Sequence, residues 1–411
     1  MNLLYNLGIY ATDFVLKIIA LFNHKIKLGV LGRAETFNIL EKEISKNDKT
    51  LWFHCSSLGE YEQGLPVFKA LRQDYPNHKI VLSFFSPSGY EIRKNTDIAD
   101  IVVYLPLDTK QNATQFLNLI HPELTVFVKY DIWPNYLNLL KERQHKAILI
   151  SATFRKQQSY FKWYGKPMKT ALQAFNHIFV QNESSKTLIN SIGFNNITVA
   201  GDTRFDRVAN QLEQNNVLDF ISEFKNNQPC VVIGSSWPED ETQLIQFINN
   251  TPHKNVKYII APHNIKSGQI AHLVSNLKVK SILFSEKEGK NLSEYSVFII
   301  DTIGLLSKIY SYADIAYVGV AMGSTGLHNV LEPAVFGVPI IIGKHHEKFP
   351  EAAQMITKGG LFSISNTNEL DLILNQLIEN DKMRHDTGVL NSAFIKKNEG
   401  AVIQILNYTR K

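Results

Sequence analysis

The chain has 411 residues, which is enough for two domains and too long for one compact core. Its charged and hydrophobic fractions, 20% and 44%, are those of an ordinary folded protein, and a formal net charge of +5 permits contact with an anionic surface without indicating a nucleic-acid partner. The two cysteines, Cys55 and Cys230, lie far apart outside any CxxC spacing, which argues for a reducing compartment and against a disulfide framework or a zinc site.

The N-terminal segment, residues 1–33, has the pattern of an amphipathic helix associated with a membrane surface. Apolar residues recur at helical spacing from Leu3 to Phe22, and polar residues occupy the opposite face. A transmembrane span would need about 20 mostly apolar residues without such a polar stripe. The basic residues Lys25, Lys27 and Arg33 follow, where they would meet anionic headgroups. The open alternatives are a helix packed on the protein's own core and a tilted single-pass anchor.

From residue 51 onwards, short apolar runs alternate with helical patterns. Runs of this length indicate parallel strands buried on both faces, and their alternation with helices indicates doubly wound sheets. The first half of the chain has such runs at 51–53, 80–85, 101–105, 124–129, 147–151, 177–181 and 197–201. The second half has them at 230–234, 257–262, 280–284, 297–301, 315–319 and 339–343.

The two halves echo each other, which predicts two similar domains. Each half contains a segment predicted to form a strand, two serines, a turn, an acidic residue and an amphipathic helix, in that order. These segments are LWFHCSSLGEYEQGLPVFKAL and CVVIGSSWPEDETQLIQFI. The polar stretch at 205–228 is the predicted joint between them. We therefore predict an α/β protein with Rossmann-like domains at 34–210 and 211–390, facing each other across a central cleft, and a C-terminal helix at 391–411.

Glu60 is the first candidate functional residue. It ends the stretch LWFHCSSLGE, where a strand runs through a small polar turn into a helix. One reading is structural, because Ser57 and Glu60 fit the S-x-x-E capping box. The other is a general base, because a carboxylate at the carboxyl edge of an α/β sheet lies where such folds place ligands, and a helix start favours its ionised form.

The stretch VAMGSTGLHNVLEPA indicates a nucleotide site. Gly323, Ser324, Thr325 and Gly326 would let backbone N–H groups approach a ligand, and the following helix would point its N-terminus at an anion. The pattern is neither a Walker A motif nor G-x-G-x-x-G. Glu332, about one turn into that helix, could accept hydrogen bonds from both hydroxyls of a ribose. The alternative is a glycine-rich turn followed by a capping acid.

Five sequence blocks together resemble a known family. In order and spacing they are similar to the signature blocks of the 3-deoxy-D-manno-octulosonic acid (Kdo) transferases. The blocks are SSLGE, DIWPN, GDTRFD, DTIGLL and HNVLEPAVFGVPIIIG. The resemblance implies a GT-B fold and an inverting glycosyltransferase that takes Kdo from CMP-Kdo. It implies a lipid A precursor (lipid IVA) as the acceptor, in lipopolysaccharide core biosynthesis. The expected location is the cytoplasmic face of the bacterial inner membrane.

The resemblance also implies roles for individual residues. Glu60 matches the proton acceptor, and Arg204 matches a basic residue that stabilises the transition state. No metal and no cofactor are expected, since the chain has no Asp-x-Asp and helix N–H groups with basic side chains can meet the charge of CMP. The residues that match the CMP-binding positions are Pro262, His263, Ile303, Gly304, Leu305, Asn329, Val330, Leu331 and Glu332.

Two positions depart from the family pattern. Where the family often has Pro-Arg-His, this chain has Ala261-Pro262-His263, so His263 would make the contact without the arginine, and Lys266 could offset the lost charge. Where the family often has two acids before Trp-Pro-Asn, the chain has Lys129 and Asp131. Lys129 could instead bind the Kdo carboxylate or a lipid phosphate.

Two other functions fit the same architecture. A nucleotide-sugar 2-epimerase would share the two domains, but it would work in free solution and would not need the apolar N-terminal helix. A non-catalytic nucleotide-sugar-binding protein would not need a base at Glu60.

Overall fold

The computed structural model describes residues 3–323 and 326–410, and the chain divides into two compact units. The first unit comprises Met1–Arg207 and Glu399–Lys411, and the second comprises Val208–Asn398. Ser324 and Thr325, which the sequence places in the glycine-rich nucleotide loop, lie outside the described residues.

The first unit is built on a parallel sheet whose described strands follow the order β3-β2-β1-β4-β5-β6-β7. The strands are β1 Thr50–Cys55, β2 Lys79–Phe84, β3 Ile101–Tyr104, β4 Leu124–Val128, β5 Lys146–Ala152, β6 His177–Val180 and β7 Ile197–Val199. The helices are α1 Leu3–Ile19, α2 His24–Glu43, α3 Leu58–Asp74, α4 Pro87–Arg93, α5 Lys110–Ile120, α6 Pro134–Glu142, α7 Lys166–Leu172, α8 Glu183–Asn190 and α9 Thr203–Ala209.

Helices cover both faces of this sheet because its central strands are apolar on both sides. Every residue of β1 and β4 is buried. Trp52 and Phe127 belong to the core on one face, while Phe53 and Val126 belong to the core on the other. The strand order reverses between β1 and β4, so the carboxyl ends of these two strands border the crevice where doubly wound sheets bind ligands.

The second unit repeats this plan, with described strands in the order β10-β11-β9-β8-β12-β13-β14. The strands are β8 Cys230–Ser236, β9 Lys257–Pro262, β10 Ser281–Leu283, β11 Val297–Ile299, β12 Ile315–Val318, β13 Ile340–Gly343 and β14 Leu361–Ile364. The helices are α10 Asp219–Lys225, α11 Pro238–Asn250, α12 Ser267–Asn276, α13 Leu306–Ile309, α14 Leu331–Ala334, α15 Pro350–Lys358, α16 Thr367–Glu379 and α17 Asp381–Asn398. The order reverses between β8 and β12, which places the corresponding crevice there.

The α/β class and the two parallel-sheet domains predicted from the sequence are confirmed. Each apolar run named above forms a strand, with ends shifted by a few residues. The sequence missed β14, an edge strand next to β13 in which Phe362 and Ser363 are not buried. Because this strand is short and only half-buried, it lacks the continuous apolar run that identified the others.

The C-terminal segment contains a break that the sequence analysis did not anticipate. In place of a single helix over 391–411, the structure has the end of α17 and a separate helix, α18 Ala401–Thr409, divided at Gly400 with φ +105°. The Asp206 carboxylate accepts hydrogen bonds from the backbone N–H groups of Gly400 and Ala401, at 3.0 and 3.2 Å. These bonds fix the start of α18, whose apolar residues join the core of the first unit on the α3 side.

The N-terminal segment is two helices, and α1 is bound to the first unit along one side. The Tyr5 hydroxyl donates to Asp108 at 2.6 Å, and Asn6 Oδ1 accepts a hydrogen bond from Asn135 at 3.0 Å. The other side of the segment exposes large apolar side chains: Leu4 is 79% exposed, Phe14 66% and Phe22 86%. No helix among residues 3–323 and 326–410 is long and apolar enough to cross a membrane.

One basic residue of the predicted headgroup edge has a different role. Lys25 and Lys27 are exposed, as expected. Arg33 instead donates hydrogen bonds to the carbonyl oxygens of Phe85 and Leu105, at 2.6 and 3.3 Å, and stacks 4.4 Å from the centre of the Phe85 ring. Its guanidinium therefore holds α2 to the strand ends and is not part of a headgroup-facing edge.

Asp108, the acid that accepts the hydrogen bond from Tyr5 of α1, is expected to make the stability of the protein dependent on pH. Burial raises the pKa of Asp108 to about 6, although hydrogen bonds from Tyr5 and from the backbone N–H groups of Asn135 and Tyr136 oppose the shift. Between pH about 4 and about 6 the folded protein therefore binds more protons than the unfolded chain, so the free energy of unfolding falls as the pH rises. A shift of about two pKa units corresponds to about 3 kcal/mol.

We expect Asp108→Asn to remove this fall. Urea unfolding of the variant and the parent, at several pH values between 4 and 7, should show the parent losing stability relative to the variant as the pH rises. Asp97→Asn, at an exposed position in the same unit, is the matched control. Parallel pH profiles for parent and Asp108→Asn would contradict the assignment.

Candidate active site

The predicted base lies at the crevice of the first unit. β1 and β4 are parallel neighbours, with Phe53 opposite Val126. The chain that follows β1 carries Glu60 in the first turn of α3, and the chain that follows β4 carries Lys129 and Asp131. The fold therefore brings these three charged side chains to one edge of the sheet, where the order of the strands reverses.

Glu60 has contacts that differ from those of a capping box. The Ser57 hydroxyl donates a hydrogen bond to Glu60 Oε2, and among the described residues Ser57 makes no side-chain cap bond to the helix backbone. Lys129 Nζ lies 3.7 Å from Glu60 Oε1, and the Glu60 side chain is 14% exposed. The carboxylate is thus oriented by a neighbouring hydroxyl, faces a cation, and keeps limited access to solvent.

Lys129 reaches Glu60 from a strained backbone position. Its φ is +65°, in the left-handed region that residues with a Cβ seldom adopt, and its N–H donates to the Ile150 carbonyl at 2.9 Å. Such a conformation costs of order 1 kcal/mol or more and persists when the surroundings impose it. The turn directs the 28% exposed Lys129 ammonium toward the Glu60 carboxylate.

A buried hydrogen-bonded network supports Asp131, and the sequence analysis did not identify it. His54, in β1, is fully buried, with Nδ1 at 2.8 Å from Ser83 Oγ and Nε2 at 2.5 Å from Asp131 Oδ2. The Trp52 indole N–H also donates to Ser83 Oγ, at 2.8 Å. Burial alone would raise the pKa of Asp131, but the attraction of His54 and hydrogen bonds from His54, Ser56 and Trp133 outweigh it, so that pKa is lowered.

Arg204 is connected to the helix that carries Glu60. Its Nη2 lies 2.7 Å from Asp202 Oδ2, and the other oxygen of Asp202 accepts a hydrogen bond from Gln63 at 2.7 Å. Gln63 belongs to α3 and is 1% exposed. The Arg204 side chain is 33% exposed, so it is positioned through a buried acid and amide while part of it stays accessible.

In the second unit, the predicted nucleotide-binding residues lie at or beyond the carboxyl ends of β9, β11 and β12. Glu332 accepts hydrogen bonds from the Ser307 hydroxyl and the Asn329 amide, both at 3.2 Å. Ser307 lies in α13, directly after the loop that contains Ile303 and Gly304. Ile303 is 83% exposed, and Gly304 has φ +90°. Glu332 therefore connects the two predicted CMP-contacting loops of this unit.

The helix after the glycine-rich turn is much shorter than predicted. α14 spans only Leu331–Ala334, and Asn329 Oδ1 accepts from the Leu331 N–H at 3.1 Å. Because a helix of four residues has only a small dipole, the start of α14 by itself would add little to the binding of an anion. The side chains of Val330 and Leu331 are 1% and 0% exposed, so any contact from them to a nucleotide would involve main-chain atoms.

Three rings at this edge form a second feature that the sequence analysis missed. His263 follows β9 and stacks on Trp237, which follows β8, with ring centres 5.3 Å apart and an interplanar angle of 22°. Its other neighbour is His328, at 4.6 Å. Burial and the charge of His263 lower the pKa of His328 to about 4, which keeps His328 neutral at pH 7. The Trp237 Nε1 atom is buried without a hydrogen-bond partner among the described residues. Pro262, by contrast, is buried at the end of β9.

Asp240 holds the two loops of this crevice together. This fully buried acid accepts hydrogen bonds from the Trp237 N–H at 2.9 Å, the Val320 N–H at 2.8 Å and the Tyr317 hydroxyl at 2.8 Å. Val320 has φ +85°, which is unfavourable for a β-branched residue. The bonds to Asp240 offset that cost and fix where the chain after β12 turns.

Comparison with known families shows similarity to Kdo transferases over most of the chain. Residues 32–207 match the family described as 3-deoxy-D-manno-octulosonic-acid transferase (kdotransferase). A Kdo transferase from Haemophilus influenzae is 26% identical over 370 residues, which cover 87% of this chain and 86% of the relative. A Kdo transferase from Aquifex aeolicus is 27% identical, over 82% of this chain and 88% of the relative. A bifunctional glycosyltransferase/methyltransferase from Fusobacterium nucleatum is 26% identical, and the match spans 82% of this chain but only 54% of that protein.

Solved structures show the shared fold over most of the chain. A UDP-GlcNAc 2-epimerase from Neisseria meningitidis, bound to UDP-GlcNAc, matches with a TM-score of 0.60 at 15% identity, covering 88% of this chain and all of that one. MurG from Acinetobacter baumannii matches with a TM-score of 0.54 at 10% identity, covering 88% and 98%. These neighbours have a GT-B-like fold of two α/β domains, and the cleft predicted between the domains stays a prediction. Residues 32–207 of the first unit thus match the Kdo-transferase family model, and over most of its length the chain is similar to Kdo transferases.

Proposed function

We propose that the protein transfers Kdo from CMP-Kdo to a phosphorylated lipid A precursor such as lipid IVA. The observation that carries the proposal is the position of Glu60, oriented by Ser57 and facing Lys129, in the crevice of the unit that matches the Kdo-transferase family. An oriented carboxylate of limited exposure is suited to general base catalysis. The activity of the relatives supports Kdo as the transferred sugar, and the chemistry of the site supports the mechanism.

The proposed reaction is a single displacement with inversion at the anomeric carbon of Kdo. Glu60 takes the proton from a hydroxyl of the acceptor sugar as the oxygen forms a bond to the anomeric carbon. The bond from that carbon to the phosphate oxygen breaks at the same time, and CMP leaves with the electron pair. Arg204 lies near the leaving phosphate in this mechanism and stabilises its negative charge.

Lys129 completes the first crevice in this proposal. Its ammonium binds either the carboxylate of Kdo or a phosphate of the lipid acceptor, and both are anions that a point charge can attract. When the substrate is bound, Lys129 exchanges part of its 3.7 Å contact with Glu60 for the substrate anion. The hydrogen bond between His54 and Asp131 holds the segment that carries Lys129.

The second unit would hold the CMP portion of the donor. Glu332 accepts hydrogen bonds from the ribose hydroxyls, while the loops at 303–305 and 328–330 approach the nucleotide. His263, which is exposed and stacked on Trp237, would contact the donor. No metal ion or cofactor is invoked in this proposal.

We expect Glu332→Ala to weaken CMP binding by about ten-fold or more, because a hydrogen bond from a hydroxyl to a charged group contributes roughly 1.5–3 kcal/mol. Isothermal titration calorimetry with CMP measures this directly. Glu379→Ala, at the far end of α16, removes an exposed acid from the same unit and is the control. Unchanged CMP affinity in a folded Glu332→Ala variant would exclude the contact.

The acceptor is an amphiphile, so we propose that the exposed apolar side of α1 lies in the cytoplasmic face of the inner membrane. Exposed aromatic residues there include Phe14 in α1 and Phe22 just after α1, and Lys25 and Lys27 follow. Apolar burial in the interface, with roughly 1 kcal/mol per basic residue near anionic lipid, would hold the protein reversibly.

Substitution tests this contact better than deletion of residues 1–22, since deletion also removes the bonds of Tyr5 and Asn6 to the first unit. We expect Phe14→Ser with Phe22→Ser to reduce binding to anionic vesicles and to slow transfer to vesicle-bound acceptor more than to detergent-dispersed acceptor. High salt should release part of the bound parent protein. Leu372→Ser, at a 57% exposed position of α16, is the control. If the double variant binds vesicles as well as the parent does, the exposed apolar side of α1 does not form the membrane contact.

The 2-epimerase reading rests only on a shared fold, and product analysis separates it from transfer. Incubation of the protein with CMP-Kdo and lipid acceptor should release CMP, while UDP-GlcNAc should be recovered without epimerisation. Epimerised UDP-GlcNAc, with no release of CMP, would favour the epimerase. Binding of CMP-Kdo with neither reaction would favour a non-catalytic binder.

A further inference from the structure

A pocket of about 560 Å³ lies on the first unit, and the residues that line it do not include Glu60, Lys129 or Asp131 of the crevice. It is formed by α6, by the start of α5 and by the start of α7. These helices pack on one face of the sheet, and α6 turns its outer side to the pocket. The residues that line it are Lys110, Asn135, Asn138, Leu139, Glu142, Lys166, Pro167 and Thr170.

The lining presents both cations and hydrogen-bond acceptors. Lys110, Lys166 and Glu142 are exposed charged residues at the wall. Asn135 differs from them because it is only 3% exposed, and its Oδ1 has no hydrogen-bond partner among the described residues. A buried amide oxygen without a partner costs free energy that a donor from an occupant would recover. The wall therefore fits a ligand that carries an anion together with an N–H or O–H group.

The pocket adjoins the side of the unit that carries α1. The Asn135 side chain donates to Asn6 of α1 at 3.0 Å. A second surface hollow, of about 610 Å³, shares Lys110 with the pocket and contains Tyr10 of α1. The helix α1, whose exposed apolar residues are proposed to enter the membrane interface, therefore borders the pocket through Asn6 and Tyr10.

A second exposed aromatic group lies on the chain that enters the pocket. Trp163 is 94% exposed and Tyr164 is 58% exposed, and Lys166 follows them at the start of α7. Tryptophan and tyrosine side chains favour the headgroup level of a bilayer. The pocket is thus bordered by α1 on one side and by these two aromatic residues near the other, which is the setting expected for a headgroup site.

We propose that this pocket binds the phosphodiester headgroup of a membrane lipid whose free end carries a hydrogen-bond donor, either an ammonium or a hydroxyl. Lys110 and Lys166 attract the phosphate. Glu142 and the Asn135 Oδ1 accept hydrogen bonds from the donor end. The inference rests on the membrane contact in the proposed function, but it adds a site with its own ligand, separate from the crevice of Glu60.

The experiment compares three lipids that share the phosphodiester. Phosphatidylethanolamine and phosphatidylcholine have no net charge, but the choline group has no N–H to donate. Phosphatidylglycerol carries hydroxyl donors and a net negative charge. We expect the protein to bind phosphatidylcholine vesicles more tightly when they are enriched in phosphatidylethanolamine or in phosphatidylglycerol than when they contain phosphatidylcholine alone. A preference for one of the two identifies whether the ammonium or the hydroxyl form is the ligand.

Variants connect this preference to the pocket. Lys166→Met should weaken the binding of these phosphodiester headgroups by about five-fold, the equivalent of roughly 1 kcal/mol for one basic residue near an anionic group. Glu142→Gln should lower the preference for phosphatidylethanolamine over phosphatidylcholine while sparing phosphatidylglycerol. Lys141→Met is the matched control, since Lys141 lies on α6 but donates to Gln173 at 3.0 Å and does not line the pocket.

Soluble headgroups separate this inference from the membrane proposal. Saturation-transfer NMR with glycerophosphoethanolamine, glycerophosphoglycerol and glycerophosphocholine needs no bilayer and no apolar contact. A signal from glycerophosphoethanolamine or glycerophosphoglycerol would support the pocket if Lys166→Met reduces that signal. This holds even if the protein does not bind vesicles. Equal signal from all three would overturn the inference while leaving the proposed transferase intact. So would a signal that Lys166→Met leaves unchanged together with a preference that Glu142→Gln leaves unchanged.

Discussion

Replacing Glu60 with Gln is expected to leave the protein folded and able to bind CMP while it slows Kdo transfer by about 100- to 10,000-fold, the range typical of a lost general base. The amide keeps the shape of the side chain and can still accept a hydrogen bond from Ser57. It cannot take a proton from the acceptor hydroxyl. Single-turnover transfer assays report the chemical step, and calorimetry with CMP reports donor binding independently.

Glu183→Gln is the matched control for this variant. Glu183 is an exposed acid in the first turn of α8, so its replacement also removes a charge from a helix start of the same unit. It should transfer Kdo at nearly the parental rate. If Glu60→Gln also transfers within a few-fold of the parent, then Glu60 is not the base and the structural reading of its position is correct.

Arg204→Gln is expected to have the second-largest effect, a loss of about 100- to 1,000-fold in the rate of transfer with little change in CMP affinity. This is the range measured when a group that stabilises transition-state charge is removed. The guanidinium is held by Asp202, which also bonds to Gln63 on the helix that carries Glu60. Arg204→Lys should recover part of the rate, because it restores the charge without the planar geometry.

A structural role for Arg204 would give a different result. Asp202→Asn weakens the support of Arg204 without removing its charge, so it should slow transfer less than Arg204→Gln does. Thermal unfolding of both variants provides the comparison of stability. If Arg204→Gln lowers the melting temperature and the rate no more than Asp202→Asn does, the arginine only connects the loop to α3.

Much of the fold could be predicted from the sequence because parallel strands buried on both faces leave a local signal. β1, β4 and β8 are continuous apolar runs, and a short run of this kind needs no knowledge of distant residues to be recognised. Glu60 was identifiable for a similar reason, since the turn and helix start that position it are adjacent in the chain. β14 lacked the signal because two of its four residues are not buried.

The features that were missed depend on contacts between distant segments. His54 and Asp131 are 77 positions apart and meet only because β1 and β4 are neighbours in the sheet. A histidine inside a fully buried strand was the available clue, because a buried polar side chain needs a partner. Trp237, His263 and His328 come together in the same way, from the ends of different strands.

Arg33 and α14 illustrate two other limits. Arg33 reads as part of a basic cluster, but the carbonyl oxygens of Phe85 and Leu105 draw it into the unit. The segment before α14 reads as a helix start, yet the Asn329 side chain bonds the Leu331 N–H and the helix begins only there. In both cases a hydrogen bond determined the local structure, and the spacing of apolar and charged residues along the chain does not predict such a bond.

The most direct test of the account is the mass of the lipid product. The purified protein is incubated with CMP-Kdo and a tetraacylated lipid A precursor in detergent, and the lipid is analysed by mass spectrometry beside a reaction with Glu60→Gln. We predict that the parent adds the mass of one or more Kdo residues and releases one CMP for each, and that the variant adds almost none. A lipid of unchanged mass, in the presence of parent protein that binds CMP-Kdo, would contradict the proposed transferase.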